Sequence, residues 1–191
     1  MKIEIENPDP FLEQLKKVYI KMDAAYNNAA AHYGFECRGC PDNCCLTRFF
    51  HHTVLEYAYV KKGFFLLKPE IQEDVKKSAS DVCRKTSELQ KENKEIRLMC
   101  PLNFKGLCQI YEYRPMICRL HGIAHELHWS GKITYGPGCG AFTDHTKGMN
   151  YYKFDRTPFY IEIADLENEL KKRAGIASKI KMTIAEMIET F

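Results

Sequence analysis

The residues of this chain best suited to chemistry are its thiols. Cys37-Arg-Gly-Cys40-Pro-Asp-Asn-Cys44-Cys45 puts four of them in one short run, and Cys100, Cys108, Cys118 and Cys139 supply four more. A thiolate is a soft, charged donor that selects zinc, copper(I) or iron-sulfur clusters, and roughly two to four intervening residues let one loop wrap an ion or a cluster edge. Eight such donors are the number for two four-coordinate sites, or for one cluster and a further metal. Adjacent residues of an extended backbone point to opposite sides, so Cys44 and Cys45 are expected to serve different centres. A loop with a single centre would instead use Cys37, Cys40 and Cys44 and take its fourth ligand from the later cysteines. The ninth cysteine, Cys83, has no partner at ligand spacing and reads as helix packing.

Other residues gather around these thiols. Pro115 fixes a turn that brings Cys108 and Cys118 together, while Arg114 and Arg119 set fixed positive charge beside thiolates, so both arginines are expected to help bind the cofactor. An ordinary carboxylate pair is the alternative for either one. His121 follows Cys118 at three residues and is a candidate ligand or donor to a thiolate, with a structural role as the other reading. His125 and His128 lack the spacing of a zinc-binding His-Glu-x2-His helix and read as solvated or packing groups, and the pair His51-His52 reads as exposed. In Gly136-Pro-Gly-Cys139-Gly, glycine permits a close approach of backbone N–H groups to a metal-bound sulfur.

The background narrows the function classes. With 28 basic and 25 acidic residues well mixed, the net charge of +3 offers no concentrated field, so nucleic-acid binding is not expected. No glycine-rich nucleotide fingerprint follows a credible strand, and no nucleophile triad stands out. The opening segment lacks the apolar centre of a secretory leader and the cysteine count is odd, which predicts reduced thiols in a soluble, cytoplasmic protein rather than a disulfide framework. No run is long and apolar enough for a membrane span.

Helical elements are expected to hold the thiol loops. Phe11, Leu15, Val18, Met22, Ala25, Tyr26 and Ala29 step at helical spacing between Asp9, a candidate N-cap, and Gly34, predicting a helix over 10–33 that delivers the chain to Cys37. Thr53 and Glu56 have capping-box spacing ahead of a short helix ending near Gly63. Pro69 opens a third helix with Ile71, Val75, Val82 and Leu89 inward. Residues 97–118 read as a loop with short helical turns, and Leu127–Trp129 with Ile133–Tyr135 as a hairpin over Ser130-Gly131. Thr157-Pro158 starts a helix burying Ile161, Ala164, Leu166 and Leu170 and stopping at Gly175, and Thr183 with Glu186 opens a terminal one. The expected fold is therefore mainly α with a small β-hairpin, a single domain over 1–191, its cysteine core at 37–139 flanked by helices at 10–33 and 157–191.

The cysteine run, Cys100, and the segment Cys108-x2-Tyr111-x2-Arg114-Pro115-x2-Cys118-Arg119 resemble the YkgJ-type CxxCxxCC cysteine-cluster family over about 37–139. That family is described as zinc- or iron-chelating and as related to flagellin lysine N-methylases. By this resemblance Cys37, Cys40, Cys44, Cys45, Cys100, Cys108, Cys118 and Cys139 occupy its eight cysteine positions. One extra residue between Cys40 and Cys44 departs from its pattern and leaves open which of Cys44 and Cys45 serves which centre. The expectation is a metal-binding protein holding an iron-sulfur cluster or zinc, with redox or electron-transfer chemistry in view. A metal-dependent enzyme such as a protein-lysine N-methylase, and a zinc-stabilised module for a protein partner, stand as alternatives.

Overall fold

The computed structural model describes residues 3–37 and 44–191. Helix content is 54%, and the only sheets among the described residues are two small antiparallel pairs. The elements are α1 (Asp9–Tyr33), α2 (Val54–Phe65), α3 (Pro69–Lys91), β1 (Asn103–Phe104), β2 (Leu107–Cys108), α4 (Met116–Leu120), β3 (His125–Trp129), β4 (Lys132–Gly136), α5 (Gly140–His145), α6 (Thr157–Ala174) and α7 (Ile184–Ile188). No helix among the described residues is long and apolar enough to cross a membrane.

Helix α1 is the spine of the fold, packing against α2, α4 and α6. It buries Phe11, Leu12, Leu15, Val18, Tyr19, Met22, Ala29 and Tyr33, the apolar stripe visible in the sequence. Gly34 closes it in the left-handed conformation, and its N–H reaches back to the last-turn carbonyls. The start differs from expectation. Pro8 occupies the cap position, and the Asp9 carboxylate pairs with Lys62 of α2 at 2.8 Å instead of capping.

Two buried carboxylates tie the helices together. Thr53 caps α2 by accepting the Glu56 N–H, but Glu56 does not return the bond to the cap backbone as a full capping box requires. Its side chain turns inward, where Oε1 accepts from the Tyr19 hydroxyl at 3.1 Å and the Met116 N–H at 2.7 Å, joining α1, α2 and α4. From α6, Glu167 accepts the Val54 and Leu55 N–H groups at 2.9 and 2.8 Å, satisfying donors that the start of α2 would otherwise leave buried and unpaired.

That second carboxylate explains a shifted helix face. The inward side of α6 is Thr157, Phe159, Ile163, Glu167 and Leu170, whereas Ile161 is 49% exposed and Ala164 lies on the surface. A charged residue on the buried stripe masked its phase in the sequence. Helix α3 buries Val75 and Ala79, with Ile71 and Val82 packed at the core margin and Leu89 beyond it, and lies against α7. The Thr183–Glu186 capping box of α7 is complete.

Both β-pairs turn on two consecutive residues at positive φ. Ser130 and Gly131 (49° and 74°) join β3 to β4, with Trp129 opposite Lys132. Lys105 and Gly106 (50° and 87°) join β1 to β2, a hairpin where short helical turns were expected. Two-residue turns of this kind match the twist of the strands they join, and a glycine at the second position tolerates the conformation. Beyond β3, Asp155 and Arg156 extend the pairing through the Arg156 N–H to the Glu126 carbonyl.

Candidate metal centre

Cys44 and Cys45 lie in a 3-10 turn, Cys44–Leu46, and not in extended backbone. At about three residues per turn their side chains diverge by roughly a third of a turn, enough to face different neighbours yet near enough to hydrogen-bond. The Cys44 thiol and the Cys45 sulfur share such a bond. It pushes the Cys45 pKa down to about 6, helped by Asn103 and by the Arg114 guanidinium, and raises Cys44 far above its ordinary value. The bond and the Arg114 charge make Cys45 the more acidic member of the pair.

Cys45 looks toward Cys100, Cys108 and Cys118. The Cys100 N–H donates to the Cys45 carbonyl at 2.8 Å, clamping the two loops together. β2 carries Cys108 and α4 carries Cys118, and the Pro115 turn between them starts α4. All four thiols interact electrostatically. Burial is the main force raising Cys100 to about 12 and Cys118 well above its ordinary range, with the neighbouring thiols adding to it. Against this, the Leu102 N–H donates to the Cys100 sulfur and the Ile110 N–H to the Cys108 sulfur. Backbone donors aimed at sulfur favour the charged form that a metal requires.

Cys37, Cys44 and Cys139 lie around the Tyr26 side chain of α1 as a second set, which touches the first because Cys44 also interacts with Cys118. Tyr26 is raised to about 12 by burial first and then by Cys37 and Cys139, so its hydroxyl stays a donor, here to the His121 carbonyl at 3.1 Å. Cys139 caps the start of α5, accepting the Phe142 N–H at 3.4 Å, and its own N–H donates to the Gly122 carbonyl at 2.9 Å. Gly122 has φ +112°, and a Cβ there would sit 3.1 Å from the Tyr26 hydroxyl and 4.0 Å from the Cys139 sulfur. Only glycine suits that backbone between phenol and thiol. Cys40 lies outside the described residues.

The two candidate arginines differ. Arg114 stacks on the Tyr111 ring at 3.4 Å and acts on both Cys45 and Cys108, lowering their pKa values. Arg119 is 7% exposed, bonds Asp23 at 2.6 Å, donates to the Arg114 and Glu112 carbonyls and lies over the Tyr19 ring. It braces the turn that presents Cys118, and its charge also reaches Cys108. Cys83 stands apart against α7, its thiol raised to about 12 by burial and by a bond to Glu189. His121 packs its ring on Phe49. The His128 ring bonds Glu126 and faces Asp155, and His125 Nδ1 meets the Ile123 carbonyl, so both pack. His51, expected to be exposed, is 2% exposed because a backbone bridge to Met182 draws it inward.

The thiols are neighbours and not a formed coordination shell: among the described residues no group of three or more His, Cys, Asp or Glu side chains is arranged to hold a metal ion. The donors fit a soft metal in their chemistry, and N–H groups already point at three of the sulfurs, those of Cys100, Cys108 and Cys139. Tyr26, which lies against Cys37, Cys44 and Cys139, and Arg156, which interacts with Tyr26, were not legible as neighbours of the thiols, because an isolated tyrosine or arginine carries no spacing signal. Comparison with protein-family models, with curated proteins and with solved structures finds no match in any of the three.

Proposed function

We propose that this protein binds a soft metal, as zinc or an iron-sulfur cluster, through two sets of cysteines that divide at Cys44 and Cys45. Cys45, Cys100, Cys108 and Cys118 form the first set, and Cys37, Cys44 and Cys139, with Cys40 by its place in the sequence, form the second. The observation that carries this reading is the gathering of thiols from distant parts of the chain around one dipeptide, Cys45 beside Cys100, Cys108 and Cys118, and Cys44 beside Cys37 and Tyr26 while also reaching Cys118. Ordinary core packing gives no reason to collect sulfur in this way, and half-buried thiols with backbone N–H donors are the groups that a thiophilic ion would deprotonate on binding. Likeness of the Cys108–Arg119 segment to the YkgJ-type cysteine-cluster family supports the same reading.

The chemistry available depends on the metal. Four thiolates close a zinc site, which then organises the fold, whereas a cluster on the same donors carries electrons. The Cys37, Cys40, Cys44 spacing leans toward the cluster. Anaerobic purification followed by metal and sulfide analysis and a visible spectrum tests both. Iron and sulfide in stoichiometric amounts with visible colour identify a cluster, and zinc in colourless protein identifies a zinc centre. Protein that contains neither metal and takes up neither overturns the reading.

A further inference from the structure

The second thiol set has a support that the sequence motifs do not include. Arg156 follows the Glu126–Asp155 bridge just ahead of α6, and only 2% of its surface is exposed. Its Nη2 donates to the Leu120 carbonyl and, at 3.1 Å, to the Ile123 carbonyl, while its Nε has no hydrogen-bond partner among the described residues. From the other side, the Tyr26 hydroxyl donates to the His121 carbonyl. Three carbonyls of one short segment are thus held by two side chains from different helical regions. That segment leads from α4, which carries Cys118, to Gly122, whose carbonyl receives the Cys139 N–H. Gly138 presses on it as well, since a Cβ there would lie 2.5 Å from the Gly122 carbonyl.

A buried guanidinium is costly to desolvate, and carbonyl dipoles offset only part of that cost. Metal-bound thiolates around Tyr26 would add an anionic field on the side of Arg156 that meets that phenol. Arg156 interacts with Tyr26, and Tyr26 with Cys37, Cys44 and Cys139. Resting on the reading of these thiols as metal ligands, we propose that Tyr26 and Arg156 are the positioning pair of the second set, locking residues 120–123 so that Cys139 is presented beside Cys37 and Cys44, with one buried positive charge behind the phenol. Arg114, by contrast, acts directly on Cys45 and Cys108 of the first set.

The test uses the full chain, cadmium(II) as the probe, and alkylation of each cysteine read by mass spectrometry. Tyr26→Phe removes only a hydroxyl, and Arg156→Met removes the charge. In either variant about tenfold more cadmium should be needed to protect Cys37, Cys44 and Cys139, with protection of Cys45, Cys100, Cys108 and Cys118 unchanged. Thermal unfolding is followed in parallel, and because Tyr26→Phe retains the ring it reports on the site even if Arg156→Met fails to fold. Equal protection of the second set in wild type and Tyr26→Phe, or equal weakening of both sets, overturns the pairing alone. Wild-type protein in which cadmium protects neither set overturns the metal reading and this proposal with it.

Discussion

At the scale of single residues, Cys44 and Cys45 join the two thiol neighbourhoods through one hydrogen bond. Cys45 interacts with Cys100, Cys108 and Cys118, whereas Cys44 interacts with Cys118 and Cys37 and joins Cys37 and Cys139 around Tyr26. Cys45→Ser should therefore reduce metal-dependent protection of Cys100, Cys108 and Cys118, and Cys44→Ser that of Cys37 and Cys139. Per-cysteine alkylation with and without added cadmium reads the difference, and identical patterns for the two variants would remove the division. Cys83→Ser should leave metal content unchanged, because its neighbours among the described residues are Glu189 and Glu186 of the α7 region and not other thiols. The candidate ligands were legible because thiols at loop spacing are rare in ordinary cores. Their pairing was not legible, since it depends on a 3-10 turn and on loop contacts such as the Cys100 N–H to the Cys45 carbonyl, for which sequence carries no periodic signal.

Among the elements, buried polar groups decide both stability and what the sequence concealed. Glu167 holds two N–H groups at the start of α2, so Glu167→Ala should cost about 2–3 kcal/mol in thermal or urea unfolding, with Glu167→Gln losing less because one acceptor remains. A loss within measurement error for the alanine variant would mean that water replaces the carboxylate. His51 is buried, its Nε2 lacks a hydrogen-bond partner among the described residues, and burial lowers its pKa from an ordinary 6.5. With the folded pKa below the unfolded one, the unfolded chain takes up the proton first as pH falls. The contribution is thus complete above pH 6.5 and is lost progressively below it. Replacing His51 by Leu should flatten the fall in stability as pH drops below 6.5, and an unchanged slope would assign that fall to other groups. The stripe and glycine stop of α1 and the capping box of α7 were readable because apolar period and cap chemistry are local. The face of α6 was misread for the reverse reason: Glu167 is buried by a partner more than a hundred residues away in sequence.

For the molecule as a whole, a mainly helical frame surrounds loops whose thiols come from opposite halves of the chain. α1 links the two neighbourhoods, since Tyr19 and Asp23 meet the Glu56 and Arg119 region that braces the first set, and Tyr26 meets the second. A metal holding both sets would cross-link the N-terminal loop to the segments after α3, which couples its binding to folding. The most direct measurement of this is a thiol count on anaerobically purified protein under native conditions, before and after a strong chelator. Of the nine cysteines in the chain, all but Cys83 should be slow to react before chelation and should become reactive after it. If the same cysteines react at the same rates before and after chelation, the thiols hold no metal and the account fails.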